Sequence, residues 1–425
     1  MTSTVARHTP SRAARRARSP RARGRADAME TCVAHVLARV ALEMVARASR
    51  GGDDAGTWWE RRIELASVAE SSRRTAEAAH LVRVMRASAY DGSAYHGHPW
   101  TVRAMVVGGR FGLDAATLAC ECAAASALAA LVRRETRDEG RVRFVSAVYL
   151  LHPLRLLSTL ARSTSAATRA GTYWSALAAT GGQPAASGVA LALAVQMHPH
   201  AVALAPALMV ACVRSSVGAR ARVSVGKFLF GFAACALACF VAMGDDFAKW
   251  WRAAVVFAVM SEDQTPNLGL HWYVFTTMFD QFRLFYVVVL NVIPLALATA
   301  ATIRFADRPL VAITVSLMGI AISAPYPTVA DVLSYMSLLQ VIASNDQGNP
   351  LVYVKHGAWI AGGFMYVALL SPLTWYMWIH TRVANANFYF AITLVHAVTQ
   401  IILMNQVITS VIAFGKSRRG DVKEE

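Results

Sequence analysis

Charge is scarce in this sequence. Only 16% of its 425 residues are Asp, Glu, Lys or Arg, whereas a soluble protein carries about a quarter. That shortfall, with 56% hydrophobic residues and a mean hydropathy of +0.39, excludes an ordinary soluble domain. Strict apolar–polar alternation is lacking too, which argues against a membrane β-barrel. Cysteine is sparse. Cys32, Cys120, Cys122, Cys212, Cys235 and Cys239 all lie in or beside apolar runs, where core packing explains them better than disulfides or metal. The sequence has no P-loop, GxSxG, HExxH or dinucleotide fingerprint, so no nucleotide or cofactor site is read from it. No repeat of fixed period stands out.

What remains is a series of long apolar segments at 104–132, 144–161, 187–213, 225–243, 271–300, 309–325, 328–343, 355–379 and 388–414. Several approach or exceed the roughly 20 residues that cross a bilayer. Shorter pieces near 170–181 and 248–260 can add partial spans. The expected fold is all-α: a polytopic membrane bundle of roughly ten to twelve helices.

The net charge of +16 is unevenly placed, with eight arginines against the single acid Asp27 in residues 1–28. This segment reads as a basic disordered tail, an untranslated leader before Met29, or an organelle transit peptide. No aromatics interleave its arginines, which disfavours nucleic acid as a partner. The bundle is expected over 29–414, with a polar loop at 49–102 and a tail at 415–425. The basic segments 1–28, 133–143, 214–227 and 415–419 can share the cytosolic side. The loop 49–102 and the start of the last helix then face the opposite compartment. In the first segment, about 31–48, His35, Arg39, Glu43 and Arg47 recur every four residues. That spacing makes one charged stripe, which should face protein or water, or lie at the interface.

Polar stretches interrupt the apolar pattern. In 261–285, Thr265-Pro266-Asn267 reads as a turn entering a helix, Gly269 permits close packing, and Trp272 and Tyr273 suit an interfacial belt. Arg283 lies deeper and needs a partner, either Asp280 or another acid in a salt bridge, or a phosphate gripped bidentately. In 324–332, Pro325 and Pro327 flank Tyr326 and break a helix; Thr328 can cap the next, with Asp331 in its first turn. In 381–393, TRVANANFYFAIT, either Asn385 or Asn387 can cap the last helix. One cap needs one asparagine, and the second amide can hydrogen-bond a glycan or a phosphate. His96 and His98, like His198 and His200, form HxH pairs without a third ligand nearby, so no metal is assigned. Arg220 and Arg222 can hold anionic lipid headgroups or serve as topology charges.

At AVYLLHPLRLLSTLARST (147–164), EDQTPNLGLHWYVFTTMFDQF (262–282), YPTVADVLSYMSLL (326–339) and ANANFYFAITL (384–394), with SAYDGSAYHGHP (88–99) in the polar loop, the chain resembles the PIG-U family. These are multi-spanning subunits of the GPI transamidase complex of the endoplasmic reticulum membrane. The resemblance implies a scaffold related to GT-C glycosyltransferases, with peptide cleavage carried by a cysteine-protease-like partner subunit. It also implies binding of the GPI lipid, with Asn385 and Asn387 as candidate contacts on the luminal side. Arg283 joins them on its chemistry only. The alternative is a GT-C mannosyltransferase using a dolichol-phosphate sugar. It would draw an acid from Glu60, Glu64, Glu70, Glu77 or Asp91, although no Asp-x-Asp occurs. A secondary transporter would need carboxylates such as Asp114, Glu121 and Asp331 inside the bundle.

Overall fold

The computed structural model describes residues 30–44, 59–216 and 221–424, with side chains through 418. The basic segment 1–28, Arg47 and Arg220 lie outside the described residues. Helix α1 covers 30–44. It is followed by α2 (Ser72–His80), α3 (Pro99–Glu135), α4 (Glu139–Leu151), α5 (Pro153–Leu160), α6 (Ser165–Thr180), α7 (Pro184–Met197) and α8 (Ala205–Ser215). Then come α9 (Ala221–Met243), α10 (Asp246–Trp250), α11 (Phe257–Met260), α12 (His271–Thr277) and α13 (Asp280–Arg304). The series closes with α14 (Pro309–Ser323), α15 (Val329–Ala343), α16 (Gly357–Ile379) and α17 (Ala386–Glu424). Five of these, α3, α9, α13, α16 and α17, are long and apolar enough to cross a membrane, and shorter apolar helices pack among them. The chain is an all-α, multi-pass membrane protein.

Several apolar runs that read as single segments are broken in the structure. The run 144–161 divides at His152, which is extended (φ −59°, ψ 126°) because Pro153 follows it. The run 187–213 divides at His198-Pro199 for the same reason. The run 271–300 divides where Met278 and Phe279 turn extended between α12 and α13. Helix α3 kinks at Gly109, whose φ of 60° and ψ of −149° suit only glycine. Helix α17 continues through 414 to Glu424 without a break.

Contacts between loops define two ends of the bundle. At one end Arg134 donates to Leu177 O and Thr180, Asp346 accepts from Arg137 N, and Arg418 donates to Gln347. Arg308, with its guanidinium bonded to Val411 O, joins them. Of the basic segments expected on the cytosolic side, this end holds the loop 133–143 and the described part of 415–419. At the other end Val329 N bonds Glu64 O, Arg74 pairs with Asp263, Lys249 with Asp91, and Tyr273 with Asn387. The loop after residue 59 and the start of α17 therefore share one end, opposite the basic one.

The helices pack through small residues. A Cβ on Gly188 of α7 would stand 2.1 Å from Phe228 O of α9, and one on Gly231 would stand 2.1 Å from Ala185 O. The two backbones touch where only glycine fits, as membrane helices that gain little from hydrophobic burial against each other require. The described part of the α1 stripe faces protein. His35 donates to Leu150 O at 2.6 Å, Arg39 pairs with Asp114, and Glu43 pairs with Arg162 at 3.2 Å. Arg162 also holds Glu60 and Asp114, so each charge has a partner of opposite sign.

Candidate functional site

The polar stretches of the sequence converge at the non-basic end. In the loop before α12, Asn267 is buried. Its Oδ1 accepts from Gly269 N at 2.7 Å and its Nδ2 donates to Thr265 O at 3.1 Å. Gly269 is required by close approach, since a Cβ there would lie 2.7 Å from Pro327 Cδ and 3.1 Å from Ala324 O. The first stretch thus locks onto the second. Asp263 N donates to the Tyr326 hydroxyl at 2.9 Å, and the Asp263 carboxylate accepts from Arg74 and from Thr265 N. Burial would raise this carboxyl, but the bonds from Thr265 and Arg74 hold it below the usual range. Thr328 caps α15 as expected, and Asp331 in its first turn completes a capping box.

The third stretch joins through aromatic rings. Tyr273 stacks on Phe390 with centroids 3.9 Å apart, and Trp272 lies 5.9 Å from Trp378 and 6.0 Å from Tyr389. Trp272 is buried in this cluster and faces protein, not the bilayer interface as its sequence setting suggested. Asn385 caps α17: its Oδ1 accepts from Asn387 N at 3.0 Å. Asn387 Oδ1 accepts from the Tyr273 hydroxyl at 2.7 Å. Both side-chain carbonyls are engaged, and both residues are exposed. What the exposed pair keeps for a ligand is two amide NH₂ groups beside an aromatic cluster. That arrangement suits acceptor oxygens such as sugar hydroxyls or phosphate.

Arg283 stands in the first turn of α13, half-buried, with its guanidinium 4.7 Å from the Phe275 ring centroid. Its Nη2 donates to Met260 O at 3.2 Å and Ser261 O at 3.0 Å. It therefore closes the end of α11, and among the described residues carbonyls take the place expected of Asp280. Arg222 is exposed at the start of α9, at the basic end.

The remaining candidates are engaged in the architecture. Glu60 meets Arg162 and Arg110, Glu64 meets Arg62 and Ser371, and Asp91 meets Lys249. Asp114 and Glu121 pair with arginines. His96 bonds Ala253 O and stacks on Phe257, while His98 bonds Gln196. Burial pushes both imidazoles down to about 4, so both are neutral. Among the described residues no three His, Cys, Asp or Glu come together as a metal set.

Sequence reasoning missed a cavity of about 550 Å³ bounded by α4, α5, α15, α16 and α17. It is mostly apolar, yet Arg155 and His396 line it. A charge inside the apolar stretch AVYLLHPLRLL was the available signal.

The chain matches the family model described as PIG-U, GPI transamidase subunit PIG-U, over residues 36–396. It is 30% identical over 269 residues to the GPI-anchor transamidase component PIGU of Mus musculus, covering 61% of this chain and 60% of that protein. It is 30% identical over 274 residues to the Homo sapiens protein of the same name, covering 61% of each. Identity is also 30% over 258 residues to the GPI transamidase component GAB1 homolog of Schizosaccharomyces pombe, covering 60% of each. The chain thus spans about 60% of the length of these curated relatives. With its family model matched from residue 36 to residue 396, this chain belongs to the PIG-U family.

Proposed function

We propose that this chain is a non-catalytic subunit of the GPI transamidase complex in the endoplasmic reticulum membrane. It binds the GPI lipid and presents it for attachment to protein C-termini. The names of its relatives, each a GPI transamidase component, support the complex. The observation that carries the binding role is the Asn385–Asn387 pair, exposed at the end opposite the basic loops with both side-chain carbonyls already bonded. On the positive-inside reading that end is luminal, the side of a GPI headgroup. The mannosyltransferase alternative loses support because the relatives are named GPI transamidase components, and three of its five candidate acids, Glu60, Glu64 and Asp91, are held in ion pairs.

In this reading the polar head of GPI engages the Nδ2 groups of Asn385 and Asn387 while its chains lie along the apolar helices. Arg283, over the Phe275 ring of α12, keeps donors beyond its two carbonyl bonds for a phosphate. Arg222, at the opposite end, holds anionic lipid headgroups together with Arg220 of the same basic segment. Peptide cleavage belongs to the cysteine-protease-like partner subunit. The scaffold contributes proximity, turning a bimolecular encounter between amine and acyl-enzyme into a local one. The test is surface display of a GPI-anchored reporter in cells whose own subunit is replaced by the Asn385→Leu, Asn387→Leu double variant. Display should collapse while the variant still co-purifies with the complex. Display at the wild-type level would overturn the assignment.

A further inference from the structure

The cavity between α15 and α16 has walls largely suited to hydrocarbon, and two of its polar lining residues, Arg155 and His396, are buried without a hydrogen bond. Its lining runs from Val329 to Gln340 along α15. That is eleven helical steps, about 16 Å of depth. Helix α16 packs along α17 and faces α15 across the gap. Its Ala361, Met365 and Ala368 line the cavity and stay exposed, so one wall opens sideways toward the bilayer.

Arg155 is 1% exposed and lines this space. Its guanidinium lies 3.8 Å from the Tyr149 ring centroid, and its Nη1 is 3.5 Å from Glu121 Oε2. None of its three guanidinium nitrogens makes a hydrogen bond. Glu121 is already occupied: it pairs with Arg169 and accepts from the Tyr149 hydroxyl at 2.8 Å. Two arginines therefore share one direct carboxylate, and Arg155 is the one left without a hydrogen bond. His396, 4% exposed and also on the cavity wall, has no hydrogen bond at either ring nitrogen. Buried donors of this kind keep their desolvation cost until an acceptor reaches them.

We propose that the cavity is a binding site for a phospholipid, entered laterally beside α16, with an acyl chain along the apolar wall and the phosphodiester at Arg155. A planar guanidinium with free donors fits phosphate oxygens, and the imidazole of His396 is a second unbonded polar group on the cavity wall. A bilayer phospholipid and the phosphatidylinositol end of GPI carry this same chemistry. The proposal rests on the cavity and not on the GPI reading, so it stands with a bilayer lipid even if the transamidase assignment falls.

The test is mass spectrometry of phosphorus-containing lipid retained by the full chain, purified in mild detergent with its partner subunits and washed exhaustively. Wild type should retain close to one phospholipid per chain. Arg155→Met and Ala368→Trp should each lower retention by about tenfold or more, equivalent to about 1.4 kcal/mol of binding. Arg155→Lys should retain an intermediate amount. Ala368→Trp blocks the entry without touching the ion pairs, so it keeps the test valid if Arg155→Met folds poorly. Retention in cells blocked in GPI synthesis marks a bilayer phospholipid, and loss there marks GPI itself; either outcome supports the site. No phospholipid above detergent background in wild type, or equal retention in wild type and both variants, overturns it.

Discussion

The Tyr273 hydroxyl donates to Asn387 Oδ1 at 2.7 Å, across 114 residues of sequence. This bond joins the two most distinctive stretches of the chain. Its consequence is restraint: with its carbonyl held by Tyr273, the exposed Asn387 side chain has less rotational freedom and its NH₂ remains as a donor. Asn385 is held the same way by the backbone of Asn387. The two donors are therefore positioned before any ligand arrives, which lowers the cost of ordering them on binding.

Tyr273→Phe keeps the ring stack on Phe390 and removes only this bond. A single neutral hydrogen bond contributes about 0.5–1.5 kcal/mol, so display of a GPI-anchored reporter should fall by about two- to tenfold. Combined with Asn387→Ala, the loss should be less than the sum of the two single losses. Strict additivity in that double-mutant cycle would show that Tyr273 does not act through Asn387.

Asn385 has two separable roles, and Asn385→Asp divides them. The carboxylate still caps α17 and its charge suits the helix N-terminus, but the NH₂ donor is gone. Thermal stability should stay near wild type while GPI transfer drops. Asn385→Ala should lose about 0.5–2 kcal/mol of stability as well, the usual cost of a missing cap. Equal transfer in wild type and the Asp variant would leave Asn385 as a cap only.

The legible features were those set by local spacing. The stripe of His35, Arg39 and Glu43 announced a helix side that faces protein or water or lies at the interface, and lipid's lack of hydrogen-bond partners made a polar residue before α17 read as a cap. The partners were not legible. Nothing near residue 387 points to Tyr273, and Asp114 and Arg162 meet α1 only once the bundle has folded. Arg283 shows the same limit. Its nearest acid in sequence is Asp280, yet it binds carbonyls at Ser261, where the backbone turns left-handed (φ 50°) and frees them. Arg155 was overlooked because hydropathy averages one charge into an apolar run, and Pro153 breaks that run just before it.

Arg162 is the hub of the largest ion network, touching Glu43, Glu60 and Asp114. Its side chain is 7% exposed and that of Glu60 is 1%. Arg162→Met removes the nearest cation from buried Glu60, which then keeps only Arg110 at 3.7 Å, and should cost about 3–5 kcal/mol. The half-exposed pair Arg133–Glu139 is the control: Arg133→Met should cost no more than about 1 kcal/mol. Thermal unfolding of the purified variants compares them. A small loss at Arg162 would mean the network relaxes or hydrates when opened.

Glu70 gives the chain a pH dependence at its non-basic end. Burial, and then the charge of Asp331, push its carboxyl up to about 8, against the opposing pull of Arg169 and a hydrogen bond from Ser163. In the unfolded chain the group ionises at about 4.3. Below that pH both states are protonated and the folded state carries no penalty. As pH rises through this window the unfolded state binds fewer protons than the folded one, so stability falls until Glu70 ionises in place near 8. Glu70→Gln, neutral at every pH, lacks this loss. Thermal midpoints of wild type and variant should agree near pH 4 and separate steadily up to pH 8, with the variant higher. A gap that stays constant across that range, or a wild type that gains on the variant as pH rises, would show that Glu70 is ionised in the folded protein at neutral pH.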